Sequence, residues 1–211
     1  VNIKHLILQG EGERLDFKNK ISSEVKIAKT LVAFANNKGG RLLVGIADDG
    51  TIRGVKNEEE ERYTLNKAAT LYCKPIVDIR FEEAFVDDKV VLIAEVSESD
   101  TKPHFALDEQ KKWWVYIRIK DRSQLAGKVV VDVLKRSSLP DGVFISYSEK
   151  EKNMLEYIQT QEKVLLLDLC KHMKLSRRKT QKILVDLILA GLIKVSMSEK
   201  GEYYSAMPEA V

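Results

Sequence analysis

Residues 34–50 read FANNKGGRLLVGIADDG. The stretch holds a helix end, a paired glycine, an apolar strand and an acidic turn, in that order. Just before and into it, Ile27, Ala28, Leu31, Phe34 and Ala35 recur at helical spacing, which predicts a helix with one buried face from about Ser23. A serine there can cap the free N–H groups of the first turn. Gly39 stands where a helix stops in the left-handed conformation, which glycine adopts without a Cβ clash. Residues 41–47 read as an apolar strand, and Asp48-Asp49-Gly50 as a hairpin turn into residues 51–55. Such a unit would hold Asp48 at a strand end.

Outward from this unit, residues 3–8 are expected as a short helix. LDFK at 15–18 alternates as a strand, with Leu15 and Phe17 inward and Asp16 and Lys18 outward. Residues 57–74 read as a second helix, acidic in its first turn and ended by Pro75. Residues 76–86 and 89–97 read as two strands joined at Asp87-Asp88. In KKWWVYIRIK (111–120), alternation puts Trp113, Val115, Ile117 and Ile119 on one face and Trp114, Tyr116, Arg118 and Lys120 on the other. Residues 121–123 close that strand, and a helix follows over about 129–137. Residues 1–138 thus read as one α+β domain, a mixed β-sheet with packed helices.

Pro140, Gly142 and small polar residues mark 139–148 as a linker. Beyond it, 149–161, 164–173 and 177–190 read as helices, and 192–197 and 202–207 as strands joined by Ser198-Glu199-Lys200-Gly201. Three helices followed by a β-hairpin is the order of a winged helix-turn-helix, a smaller domain over 149–211. In such a fold the second helix of the motif enters the DNA major groove with its first residues. Here that helix opens on Arg177, Arg178, Lys179, Thr180, Gln181 and Lys182, behind a capping Ser176. Between Lys171 and Lys182 there are six Lys or Arg and no acid, on a chain whose formal net charge is only +3.

The whole chain, at 211 residues, is 44% hydrophobic and 32% charged, enough for a core beneath a well-solvated surface. Cys73 and Cys170 are far apart and lack Cys-x-x-Cys spacing, so neither a disulfide framework nor a zinc knuckle is signalled. No apolar run of membrane-spanning length and no charged-then-apolar leader occurs, so a cytoplasmic chain without membrane contact is expected. The first residue is Val rather than Met, as in a trimmed chain. Gly45 and Gly50 have the outer spacing of a phosphate loop, but Thr51 stands where its lysine must be. Gly10 and Gly12 begin a Gly-x-Gly that Leu15 ends. His5, His104 and His172 are isolated and read as surface or core residues. Glu11, Asp16 and Asp48 are carboxylates at strand ends, a pattern that reads most simply as turn and edge residues. The alternative is a site holding one or two divalent cations for phosphodiester cleavage.

At EGERLDFK (11–18), AFANNKGGRLLVGIADD (33–49), KPHF (102–105) and WVYIRIKDRS (114–123) the sequence resembles the Schlafen AlbA-like domain. The resemblance covers residues 1 to about 137, and in bacteria that domain is often fused to a C-terminal winged helix. Bacterial members are mostly described as DNA-binding transcriptional regulators. Some animal members are metal-dependent endoribonucleases that use three acids of this domain, which align with Glu11, Asp16 and Asp48; Asp16 replaces the usual glutamate. The expectation is therefore a bacterial DNA-binding regulator, with RNA as a possible ligand, a homodimeric state and no cofactor. A binding protein is favoured over an enzyme. Arg177–Lys182, together with Arg118, Lys120 and Arg122, are the candidate nucleic-acid contacts. The alternative is an endoribonuclease with Mg or Mn on Glu11, Asp16 and Asp48.

Overall fold

The computed structural model describes residues 2–139, 144–145, 147–198 and 201–207. Its contacts divide the chain into two compact units, Val1–Ala126 and Gly127–Val211. In chain order the first holds α1 (Ile3–Gln9), β1 (Leu15–Lys18), α2 (Glu24–Asn36), β2 (Gly40–Val44) and α3 (Glu58–Leu71). There follow β3 (Cys73–Lys74), β4 (Arg80–Val86), β5 (Lys89–Val96), β6 (Phe105–Leu107), β7 (Trp113–Ile119) and β8 (Arg122–Leu125). One mixed sheet has the order β1-β2-β5-β4, with β1 parallel to β2 and the other pairs antiparallel. A second, antiparallel sheet has the order β3-β6-β7-β8. Mixed sheet and helices make the fold α+β, as expected.

The opening stretch explains how α2 is joined to the first sheet. The Ser23 hydroxyl accepts from Lys26 N at 3.3 Å and caps α2. Gly39 has φ +70°, and a Cβ there would come within 2.6 Å of Val96 O. At Gly40 a Cβ would run into the Phe34 ring. The paired glycine therefore lets the chain leave α2 and enter β2 flush against β5, beneath Phe34. Leu42 and Val44 then pack with Leu31, Phe34 and Leu65, whereas Leu43 packs on the other side with Ile3, Phe17 and Ile93. Burial on both faces is why β2 reads as a continuous apolar run instead of alternating. Each such side chain contributes about 1.5–3 kcal/mol. Asp87 (φ +49°) and Asp88 (φ +59°) form the tight β4–β5 turn.

Several boundaries differ from expectation. Residues 51–55 contribute only an isolated bridge between Ile46 and Ile52, because Gly45 O accepts from both Arg53 N (2.8 Å) and Gly54 N (2.9 Å) and folds the segment back. Helix α3 stops at Leu71, ahead of Pro75, because Cys73 and Lys74 pair with β6. After β7 the chain forms a further strand, β8, instead of merely closing.

The second unit begins earlier than the expected boundary at 138. It holds α4 (Lys128–Ser137), α5 (Glu149–Gln159), β9 (Val164–Leu165), α6 (Leu166–Met173), α7 (Arg177–Leu189), β10 (Ile193–Ser198) and β11 (Gly201–Ala206). Helix α4 belongs here because Val129 and Val133 pack into the core of Met154, Ile158, Leu169, Leu184, Leu187 and Tyr204. Ser148 and Glu151 form a capping box that starts α5. The segment expected to begin the second helix instead supplies Val164–Leu165 to an antiparallel sheet of order β10-β11-β9. Residues 140–143 and 146 of the expected linker, and Glu199 and Lys200 of the expected turn, lie outside the described residues.

Candidate functional site

The outward direction expected for Asp16 is corrected. It is only 3% exposed, because that face of β1 lies under α2 and Arg118. Its Oδ1 accepts from Lys18 Nζ at 3.0 Å, and its Oδ2 faces Thr30 Oγ1 and Arg118 Nη1, each at 3.5 Å. Glu11 lies beside it and accepts from Phe17 N at 2.8 Å. Burial and then the hydrogen bond shared with Asp16 push the Glu11 carboxyl up. Burial also works to raise Asp16. The Glu11 hydrogen bond and the charges of Lys18 and Arg118 outweigh it and hold Asp16 below the usual carboxylate range.

Asp48 is exposed in the turn after β2. Among the described residues no group of three or more His, Cys, Asp or Glu could hold a metal ion, so the structure joins Glu11 to Asp16 but not to Asp48. A divalent cation needs several oxygens free to approach within about 2.0–2.6 Å. Here an ammonium and a guanidinium already face the buried carboxylate. These residues do not fit a Mg or Mn centre.

Arg118 is likewise corrected from a surface contact to a buried tie, at 3% exposure. Its guanidinium donates to Gly12 O (3.0 Å), Leu15 O (3.3 Å) and Ser123 Oγ (3.3 Å) and lies over the Phe34 ring. Lys120 and Arg122 are exposed at the β7–β8 turn. The two asparagines of FANN serve as clamps. Asn36 donates to His104 O and Tyr116 O, both at 2.9 Å, and accepts from His104 N at 2.7 Å. Asn37 donates to Arg118 O and accepts from Arg118 N. The His104 ring is held between Pro75 O (3.0 Å) and Ser99 Oγ (2.7 Å), so it is a core histidine, and burial lowers its pKa.

In the second unit, α7 is capped by Ser176, whose hydroxyl accepts from Lys179 N. Arg177, Arg178, Lys179 and Lys182 are exposed, and Gln181 is half-buried. Thr180 is corrected: it is fully buried and its hydroxyl donates back to Ser176 O at 3.2 Å, so it is withdrawn from any ligand. Sequence reading missed α4 as a neighbour of this surface. Arg136 of α4 pairs with Asp186 of α7 at 2.6 Å, and no local pattern signals a partner so far along the chain.

The family model Schlafen, AlbA_2 matches residues 11–127. The chain belongs to the Schlafen AlbA_2 family. The match ends where the contacts divide the chain, so the Schlafen AlbA_2 domain corresponds to the first unit and α7 lies outside it. No curated protein matches this chain. Among solved structures, the N-terminal domain of a RecG-related protein from Nitrosomonas europaea is similar at 23% identity, covering 46% of this chain and 74% of that one, with a TM-score of 0.38. The DIP2311 protein from Corynebacterium diphtheriae is similar at 14% identity, covering 75% of this chain and 38% of that one, with a TM-score of 0.45. Neither overlap is close enough to assign anything further. Among the described residues no helix is long and apolar enough to cross a membrane.

Proposed function

We propose that this Schlafen AlbA_2 chain is a nucleic-acid-binding protein, and specifically a DNA-binding transcriptional regulator whose second unit acts as a winged helix. What carries the reading is the open end of α7. Arg177, Arg178, Lys179 and Lys182 are exposed there without an acidic partner among the described residues. Cations at the first turns of a helix meet phosphates and base edges when that helix enters a major groove. The order α5, β9, α6, α7, β10, β11, with strands ordered β10-β11-β9, supports the winged-helix assignment. A homodimer completes the reading, since one such helix covers only a half-site.

The test is fluorescence anisotropy of the full chain on labelled duplex DNA and on structured RNA, across a salt series, with EDTA or manganese. The expected result is salt-sensitive binding to intact DNA. Replacing Arg177, Arg178 and Lys179 together by alanine should flatten the log–log salt slope by up to about 2.7, at about 0.9 per lost phosphate contact. Equal affinity of wild type and triple variant would sink the reading. Manganese-dependent RNA fragments that vanish with Asp48→Asn would replace it by the nuclease.

A further inference from the structure

Helix α7 is buried on a second side besides its main apolar stripe. Thr180, Ile183, Leu184 and Leu187 form the buried stripe. Val185 and Asp186 fall outside that stripe, yet each is only 3% exposed. Helix α4 packs along this side of α7, with Arg136 on Asp186. Beside this contact a groove of about 980 Å³ runs between α4 and the first turns of α7.

The acid that lines this groove and the buried one beside it are both engaged from within. Asp132 is paired with Lys128 one turn away in α4, and Asp186 is held by Arg136. Lys135 on the α4 wall and Arg178, Lys179 and Lys182 on the α7 wall line the same groove, with no anionic partner among the described residues. Arg178 and Lys182 stand four residues apart, roughly 6 Å along the helix. Three cations on the α7 wall and one on the α4 wall, none paired among the described residues, complement a regularly charged polyanion rather than an isolated carboxylate. The covering of Val185 and Asp186 also leaves only the first turns of α7 open, so a strand lying along them meets α4.

We propose that the α4–α7 groove binds the sugar-phosphate backbone of duplex DNA, with Lys135 as a phosphate contact from outside the helix-turn-helix. The inference rests on the DNA-binding reading above and assigns α4 to the same surface. One phosphate contact at 0.15 M salt corresponds to about fivefold in affinity and about 0.9 in the salt slope.

The full chain carrying Lys135→Ala, Lys135→Glu or, as a control on exposed α5, Lys152→Ala would be titrated onto a labelled 20-base-pair duplex (about two helical turns) at several salt concentrations. Circular dichroism verifies folding, which the exposed position of Lys135 favours. Lys135→Ala should weaken binding about fivefold and flatten the slope by about 0.9. Lys135→Glu should weaken it further, and Lys152→Ala should change neither quantity. If both Lys135 variants bind like wild type while the Arg177/Arg178/Lys179 triple variant fails, the groove assignment is overturned and the α7 reading stands. If wild type ignores duplex DNA altogether, the DNA-binding reading itself has failed. Saturable binding of polyglutamate without binding of duplex would overturn the inference in favour of an acidic protein partner.

Discussion

Replacing Arg118 by methionine separates a buried tie from a ligand contact. The substitution keeps an unbranched side chain in place and removes the guanidinium. Hydrogen bonds to Gly12 O, Leu15 O and Ser123 Oγ are lost, together with the charge facing Asp16. Breaking a buried ion pair costs about 3–5 kcal/mol, because one charge is left buried without its partner. Asp16 keeps Lys18 at 3.0 Å and its Glu11 neighbour, so the lower end, about 3 kcal/mol, is expected. Both tryptophans, Trp113 and Trp114, lie in the first unit, so their fluorescence in urea follows that unit alone. With an m-value of about 1.5–2 kcal/mol per molar, the midpoint should fall by roughly 1.5–2 M. Asp16→Asn combined with Arg118→Met removes both charges and should recover at least about 1 kcal/mol relative to the sum of the single losses. At native temperature the folded Arg118→Met protein should bind duplex DNA with the wild-type salt slope. A stability loss below about 1 kcal/mol, joined to a slope shallower by about one, would refute the tie and restore Arg118 as a phosphate contact.

Two further outcomes follow from buried groups. His104 has its folded pKa depressed by burial, so its contribution to stability is complete above the unfolded value of about 6.5 and is lost as pH falls through the folded value. Urea unfolding between pH 7 and 5 should show wild type losing stability more steeply than His104→Gln; parallel profiles would refute this. Burial pushes the Cys73 thiol up to about 12, so at pH 8 iodoacetamide should label half-buried Cys170 and spare Cys73 until urea is added, as read by mass spectrometry.

Periodicity made the helices legible. The Ile27–Ala35 spacing located α2, and Ser23 and Gly39 bounded it as caps. The Asp87-Asp88 pair located a hairpin because consecutive left-handed residues suit that turn. What stayed hidden was long-range. Alternation in β7 put Arg118 on a polar face, and nothing local shows that α2 and β1 close over that face. The same closure turned Asp16 from an outward carboxylate into a buried one. Helix α4 was assigned to the wrong unit because its valines look alike whichever core they enter. Thr180 reads as an exposed polar residue in a basic run, and only its bond to Ser176 O withdraws it.

The residues that carry the family resemblance and those proposed to carry function differ in one physical respect. Asn36, Asn37, His104 and Arg118 are engaged by partners inside the chain, and Gly39 and Gly40 are needed because a Cβ would collide. Among the described residues no buried side-chain polar atom lacks a partner. These groups are turned inward onto partners within the chain, so their motif identifies how α2 is clamped between two sheets and not a reaction. The cations of α7 and Lys135 are the opposite case, exposed and, among the described residues, without acids to neutralise them. Substituting a motif residue should therefore lower the amount of folded protein, whereas substituting a free cation should lower affinity per folded molecule. Measuring binding against folded concentration, variant by variant, separates the two, and total activity alone would assign the clamps a ligand they cannot touch.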